Sequence, residues 1–134
     1  MIPVLEALRT LLLSDAAIVA AVTDRISGPQ RTMALTTSIV LQRAGGRIVS
    51  PKTRPRTFVR CHATDLQQAE ALYRLLFPVF YDTRGEPRGM RTIGGKWLLY
   101  WGQLTEPDTS IEPDSGWPVA AGVLETEWAV QALV

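Results

Sequence analysis

Cys61 and His62 are adjacent, and a thiol beside an imidazole is the pairing used by cysteine nucleophiles and their general bases. The surrounding segment, "TFVRCHA", is predicted to be the strand that follows the β-branched segment "TSIVLQRA". Neighbouring side chains of a strand point to opposite faces. The two side chains therefore cannot form a hydrogen-bonded dyad in a regular strand. Cys61 shares the parity of Val59, which predicts a buried structural thiol. His62 shares the parity of Phe58 and Arg60, which predicts a histidine at the surface or at an interface.

The best candidate for a metal site is the acidic segment that runs from Thr105 to Pro118. Its carboxylates lack the glycine and the closing bidentate glutamate of an EF-hand, so a solvated loop is the simpler interpretation. These carboxylates belong to Glu106, Asp108, Glu112 and Asp114. One cysteine and one histidine cannot supply a zinc site with four protein ligands, and one cysteine cannot close an intramolecular disulfide. We therefore expect no bound metal.

The glycine pairs Gly45–Gly46 and Gly94–Gly95 match neither a phosphate-binding loop nor a dinucleotide-binding turn. They are predicted to be turn glycines. The sequence also lacks the G-x-S-x-G and H-E-x-x-H patterns of hydrolases and metalloproteases. We expect no catalytic residue and no cofactor, and hence a protein that is not an enzyme.

Charge is distributed unevenly along the chain, although its formal net charge is only +1. Residues 1–96 carry all 14 cations and 7 of the 13 acids, whereas residues 97–134 carry 6 acids and no cation. Five of the cations lie in the segment "RAGGRIVSPKTRPR" and a sixth follows shortly after it. They are Arg43, Arg47, Lys52, Arg54, Arg56 and Arg60. The chain therefore has a basic body and an acidic C-terminal quarter.

The length of 134 residues, with 46% apolar and 20% charged residues, predicts a single soluble domain spanning 1–134. No run approaches the roughly 18 apolar residues of a membrane span, so we expect no membrane association. The start of the chain lacks the basic region of a signal peptide, so we expect the mature chain to begin near Met1.

The elements that must carry these residues follow from periodicity. Pro3 and the leucines after it predict a first helix, and Ser14 is predicted to cap a second. Two strands follow, then a helix that Thr64 and Gln67 are predicted to cap as a capping box and that Pro78 kinks or ends. Two further strands complete the order α-α-β-β-α-β-β. The predicted fold is α/β or α+β, with a mainly antiparallel sheet of about four or more strands and helices on one face.

The segments Ala44–Pro55 and Thr105–Pro118 are predicted to be long irregular loops, mobile in the isolated subunit. Gly122 is predicted to mark a bulge that switches the phase of the last strand. Trp117 lies in the second loop, where it either folds back as a lid or is offered to a partner. The predicted core consists of Leu5, Leu8, Val59, Cys61, Leu72, Tyr73, Leu76, Leu99, Trp101 and Trp128.

The order of elements resembles the tail terminator, or head-tail joining, family of long-tailed phages. The likeness lies in "LEALRTLLLSDAAIVAAVTDRISG", "SIVLQRAGG", "TFVRCHATDLQQAEALYRLLF" and the closing strand "AAGVLETEWAV". This resemblance implies a structural virion protein of the tail and neck, assembled in the host cytoplasm. It implies a homo-oligomeric ring, commonly a hexamer, between the tail tube protein and a head-completion or connector protein. Genomic DNA would pass through the channel without sequence-specific binding.

A closed ring needs two complementary surfaces on each chain, and the basic segment and the acidic C-terminal quarter meet that requirement. The alternative is that both are separate solvated surfaces. The basic surface comprises the six cations named above, which face either a neighbouring subunit or the DNA channel. The second surface is acidic and aromatic, and comprises Glu106, Asp108, Glu112, Asp114, Trp117, Glu125 and Glu127. Reversal of Arg54 and Arg56 is predicted to weaken the ring and to leave the monomer's stability unchanged.

Two alternatives stay open at this point. One is another ring subunit of a phage neck or baseplate. The other is a small nucleic-acid-binding module that uses the basic segment 43–60, with Trp117 or Tyr81 for stacking. Steep salt dependence of DNA binding by the monomer would favour the second alternative.

Overall fold

The computed structural model describes residues 2–28, 37–113 and 115–131. Its helices are α1 (Val4–Leu13), α2 (Ala16–Val22), α3 (Leu66–Arg74) and α4 (Phe77–Phe80). Its strands are β1 (Ile26–Ser27), β2 (Ser38–Val49), β3 (Lys52–His62), β4 (Arg91–Ile93), β5 (Trp97–Leu104), β6 (Asp108–Ile111) and β7 (Pro118–Ala129). The predicted element order is present, with α4 and the three short strands β1, β4 and β6 added to it.

The strands form one sheet in the order β1-β2-β3-β7-β5-β4. β5 and β6 share the same side of β7, because β5 pairs with its C-terminal half and β6 with its N-terminal end. β1 is parallel to β2, and every other described pairing is antiparallel. The predicted α+β class and mainly antiparallel sheet agree with this arrangement, although β1 makes the sheet a mixed one.

The sheet curls around the first helix. α1 contacts β2 near one end of the strand order and β4 at the other end, which a flat sheet would not allow. α3 packs on β3 and β7, and α4 packs on β5. The apolar faces of the helices and the inward-facing side chains of the strands therefore enclose a single cluster of buried residues.

Eight of the ten predicted core residues are buried, and Leu5 and Trp101 are only partly buried. Trp101 was expected to share the inward parity of Trp97. A register shift between Leu99 and Trp101 reverses the phase of β5, so Gly102 and Leu104 take the inward positions instead. Trp101 consequently lies on the outward face of the sheet.

β7 has no bulge at Gly122, contrary to the prediction. Its pairing with β3 keeps one register from Val119 to Ala129. Gly122 serves a different purpose, because a Cβ there would lie 2.7 Å from Thr105 Oγ1 and would overlap the hydroxyl of Tyr73. That hydroxyl donates a hydrogen bond to the carbonyl oxygen of Thr105 at 2.8 Å. The glycine therefore makes room for a buried tyrosine of α3.

The basic segment is a β-hairpin and not the predicted irregular loop. β2 continues to Val49, β3 begins at Lys52, and the turn between them is Ser50–Pro51, which is joined by a cis peptide bond. Gly45 and Gly46 have positive φ angles and form a bulge inside β2, so they are not the predicted turn glycines. Gly94 and Gly95 do form the predicted turn, between β4 and β5.

The acidic segment is also more regular than predicted. Its residues Asp108–Ile111 form β6, which pairs with the start of β7. The connection between these two strands covers residues 112–117, of which Asp114 lies outside the described residues. The prolines that suggested a loop flank β6 or lie at the first position of β7, where a missing N–H costs little.

The predicted helix caps are displaced by one residue at both sites. Asp15, not Ser14, accepts hydrogen bonds from the N–H groups of α2, because Ser14 still belongs to the last turn of α1 and donates to Leu11. Asp65, not Thr64, caps α3. Pro78 was predicted to kink or end the helix after Phe77, but α3 already ends at Arg74. The proline instead lies in the first turn of α4, where its missing N–H costs little.

Candidate assembly surface

The outward face of the sheet carries the cations of β3. Odd-numbered residues of β3 up to Cys61 point into the core, so Lys52, Arg54, Arg56 and Arg60 point outward. Phe58 lies in the same row and is 40% exposed. β2 adds Arg47, which lies directly opposite Arg54 across the two strands. The strand alternation thus gathers most of the predicted basic residues on one face.

Glu127 of β7 neutralises part of this row within the same chain. Its carboxylate accepts a short hydrogen bond from Arg54 Nε and lies 3.4 Å from Lys52 Nζ. The Glu127 side chain is only 4% exposed. Burial alone would raise the pKa of Glu127, but the hydrogen bonds and charges of Arg54 and Lys52 outweigh it and hold the pKa below its ordinary value.

Two aromatic rings of β5 extend this ion-paired cluster. The ammonium group of Lys52 lies 4.3 Å from the ring centroid of Tyr100. The guanidinium group of Arg54 lies 5.8 Å from that of Trp101. Cation–π contacts of this kind restrict both cations to positions over the sheet. Lys52, Arg54 and Glu127 therefore form a structural cluster inside one subunit, although the sequence placed them on opposite sides of a subunit interface.

Arg43, Arg47 and Arg56 are exposed, and they are the cations of the hairpin that extend beyond this cluster. A shallow cavity of about 270 Å³ lies among Ala44, Gly46, Arg47, Arg54, Arg56 and Glu125. Arg56 is the cross-strand neighbour of Glu125, whereas Arg47 faces another arginine. Like charges directly opposite each other repel, so this corner of the hairpin favours an acidic partner.

The acidic residues are divided among separate places. Glu106 lies 3.4 Å from Arg74, at the surface. Asp108 is exposed on β6. Glu112 lies 2.8 Å from Nε2 of His62 and accepts a hydrogen bond from Ser115. The structure therefore does not gather the predicted acidic surface into one patch.

His62 is fully buried, and the prediction of a surface or interface histidine was wrong. The connection between β6 and β7 folds over the end of β3, so Glu112 contacts the imidazole and Trp117 meets it edge-on at 5.6 Å between ring centroids. Of the two roles left open for Trp117, the lid is the one that the structure shows. Strand parity alone could not reveal this cover, because it comes from residues 50 positions away.

A larger cleft lies where no functional residue was predicted. It has a volume of about 590 Å³ and lies between α4, the loop after it and the end of β5. Phe77, Tyr81 and Leu104 form its apolar wall, and Arg88 and Glu106 lie at its rim. The hydroxyl of Tyr81 accepts a hydrogen bond from the N–H of Leu104 and is held against the wall. These residues come from distant segments, and no sequence motif links them.

Reactive chemistry finds little support among the described residues. Burial raises the pKa of the Cys61 thiol far above its ordinary value, so the reactive thiolate is disfavoured. Burial likewise raises the pKa of Tyr73 to about 12. In the described ranges, no group of three His, Cys, Asp or Glu residues is placed to hold a metal ion. None of the described helices has the length and apolar character that a membrane crossing requires.

Comparison with known proteins identifies a structural neighbour only. No family model matches the sequence, and no curated protein matches it either. One solved structure that does match is described as the virion of a native gene transfer agent (GTA) particle. The TM-score is 0.61 at 10% sequence identity, and the match covers 92% of this chain and 92% of that one. The two chains share a fold. At this identity the likeness does not by itself carry a function across.

Proposed function

We propose that this protein is a structural subunit of a phage-like virion, and specifically a tail terminator. In this role it forms a ring that caps the tail tube and joins it to the head-side neck. The observation that carries the proposal is the match in fold, over nearly the whole of both chains, to a chain of a gene transfer agent virion. The resemblance of the sequence to the tail terminator family, which rests on different information, favours the same role.

The surface of the subunit is compatible with assembly through unlike patches. The hairpin presents Arg43 and Arg47 on one side of the sheet, and β6 presents Asp108 on the other. A closed ring requires this kind of difference, because each subunit meets its two neighbours through different surfaces. The proposed partners are further copies of the chain, the tail tube protein and a head-completion or connector protein. Genomic DNA would pass through the ring without being read.

The test is assembly of the purified protein. We expect closed rings in negative-stain images and, in solution, a mass close to that of a hexamer of the 14.8 kDa chain. Tail tubes polymerised from the tube protein of the same virion should carry one ring at one end. A protein that stays monomeric at every concentration would overturn the proposal. Rings that do not bind tubes would assign the protein to another neck or baseplate position.

A DNA-binding measurement distinguishes a tail terminator from the remaining alternative, a nucleic-acid-binding module. A tail terminator should bind short duplex DNA weakly as a monomer, because Lys52 and Arg54 are already paired with Glu127. A monomer that binds DNA tightly, with an affinity that falls steeply as salt rises, would instead support the nucleic-acid-binding module.

A further inference from the structure

The sheet has a four-strand region, β2-β3-β7-β6, that is open at both sides. β1 pairs with only Ile39 and Val40, so no described strand covers the rest of β2. β6 pairs with β7 on one side, and no described strand lies on the other. Open strand edges expose backbone donors and acceptors and readily accept another strand. A second copy of the chain could therefore pair at each side.

The hydrogen-bond pattern fixes which groups of β2 point outward. The N–H of Ile39 donates to Arg25, away from β3, and successive residues of a strand alternate in direction. Beyond the bulge, Gly46 lies opposite Pro55 and Ile48 opposite Thr53. The carbonyl oxygen of Pro51, just before β3, accepts a hydrogen bond from Val130 on the β7 side, so the odd residues of β3 also direct their groups toward β7. Their partners Gly46 and Ile48 therefore direct theirs to the open edge. Ile48 is 59% exposed.

The same reasoning applies to β6. The N–H of Glu112, directly after β6, donates to the carbonyl oxygen of Trp117 on the β7 side. Alternation from Glu112 directs Asp108 and Ser110 toward β7, and Thr109 and Ile111 toward the open edge. All four residues of β6 are exposed. Beyond the bulge, the β2 edge thus offers Gly46 and Ile48 for pairing, and the β6 edge offers Thr109 and Ile111.

Charge selects which edges meet. The β2 edge is basic, through Arg43 and Arg47, and the β4 edge is basic too, because it contains Arg91. The β6 edge carries Asp108. Pairing β2 with itself or with β4 would bring like charges together, whereas pairing with β6 brings opposite charges together.

We infer that β2 of one subunit pairs with β6 of the next, so that the sheet continues from chain to chain around the ring. This inference rests on the ring of the proposed function. In the antiparallel register that joins these four residues, Gly46 lies opposite Ile111 and Ile48 opposite Thr109. Arg47 then lies opposite Ser110, with Asp108 on the diagonal and on the same face.

Side-chain packing agrees with this register. Gly46 has no side chain, so Ile111 of the neighbour can lie over it beside Ile48. Both isoleucines are among the large apolar residues that an isolated subunit leaves in water. Each copy accepts a strand at β2 and offers a strand at β6, so the contact is head to tail and can repeat until the ring closes.

The two edges lie at different heights along the strands. Arg47 is level with Glu127 of β7, whereas Ser110 is level with Val119, an offset of about eight residues or roughly 27 Å. Neighbouring subunits are therefore staggered along the strand direction. The ring closes only if its strands are inclined to the ring axis, as strands in closed sheets are.

Disulfide crosslinking tests the contact. Arg47 and Ser110 form a non-hydrogen-bonded pair, in which the close spacing of the two residues suits a disulfide, and the native Cys61 is buried. The double variant R47C/S110C should give a ladder of covalent oligomers under mild oxidation. The matched control R47C/T92C, which tests the β4 edge, should give none. Crosslinking of the control and not of the first variant would overturn the inference.

Proline substitution gives a second test. Ile48→Pro removes an outward N–H, so one backbone hydrogen bond is lost and the pyrrolidine side chain obstructs strand pairing. The protein concentration needed for half-assembly should rise at least about tenfold. Ile48→Thr retains the N–H and should assemble nearly as the parent does. Urea unfolding of both monomers controls for stability. If the parent forms rings and both variants form them equally well, the strand contact is wrong while the ring stands. If the parent forms no ring, the proposed function itself fails.

Discussion

Charge reversal at Arg54 should destabilise the subunit itself, whereas the same change at Arg56 should not. Arg54 donates to Glu127, whose side chain is 4% exposed, while Arg56 is exposed. Arg54→Glu removes a charge-assisted hydrogen bond, which contributes about 1.5–3 kcal/mol, and places a second carboxylate beside a buried one. The sequence led us to expect that both reversals leave the monomer's stability unchanged, and the structure changes that expectation for Arg54.

The repulsion is limited because one carboxyl can take up a proton. At pH 7, protonating a carboxyl of ordinary pKa costs about 3.5 kcal/mol, at 1.36 kcal/mol for each unit by which the pH exceeds the pKa. Lys52 remains 3.4 Å from Glu127, and the Arg54 side chain is 33% exposed, so solvent screens part of the effect. The expected loss is about 2–4 kcal/mol for Arg54→Glu and less than about 0.5 kcal/mol for Arg56→Glu.

Urea unfolding of the monomers at pH 7 and pH 5 measures both losses. With a urea dependence of about 1–3 kcal/mol per molar, the midpoint of Arg54→Glu should fall by roughly 1–2 M. The deficit should be smaller at pH 5, where protonation is easier. Equal midpoints for the two variants at pH 7 would refute the buried ion pair. A deficit that does not change with pH would show that lost packing, not charge, is responsible.

Two further predictions follow from the buried polar groups. Gly122→Ala should cost about 2–4 kcal/mol of unfolding free energy, since the new methyl group displaces the Tyr73 hydroxyl. Adding Tyr73→Phe should recover part of that loss, and strictly additive losses in a double-mutant cycle would contradict the contact. Because the pKa of Glu127 is lowered in the folded state, its carboxylate stabilises the fold above the ordinary pKa of 4.5, and this contribution is lost as the pH falls through the lowered value. Thermal unfolding of Glu127→Gln should therefore depend less on pH than that of the parent between about pH 5 and pH 3, and parallel curves would count against the assignment.

The helices and the long strands could be predicted from the sequence because their signals are local. The apolar spacing of α1 and α3, the β-branched residues at the start of β2 and the turn at Gly94–Gly95 each depend on neighbours in the chain. The short strands carry no such signal. β1 and β6 have two and four residues, and they are strands only because β2 and β7 supply hydrogen-bond partners.

The surface could be predicted less well than the fold. Composition identified a basic and an acidic group of residues, but whether Lys52 and Arg54 serve the subunit or its neighbour depends on Glu127, which is more than 70 residues away. Glycine and proline in the basic segment suggested a loop because both residues interrupt regular strands. In the structure the glycines form a bulge in β2, and the proline coincides with a gap in the pairing of β3 with β7. The hairpin continues past both.

The bulge and the gap lie side by side, and this alignment gives the sheet a crease. Gly46 of β2 is opposite Pro55 of β3, and the β3–β7 register passes from Thr53 to Arg56 around that proline. The sheet is thus sparsely bonded along a line that crosses two adjacent strands, at the base of the hairpin. Few backbone hydrogen bonds therefore hold the angle between the hairpin tip and the rest of the sheet. In the proposed ring, the subunit cores could then be identical while the angle between neighbouring subunits differs slightly at each hairpin contact.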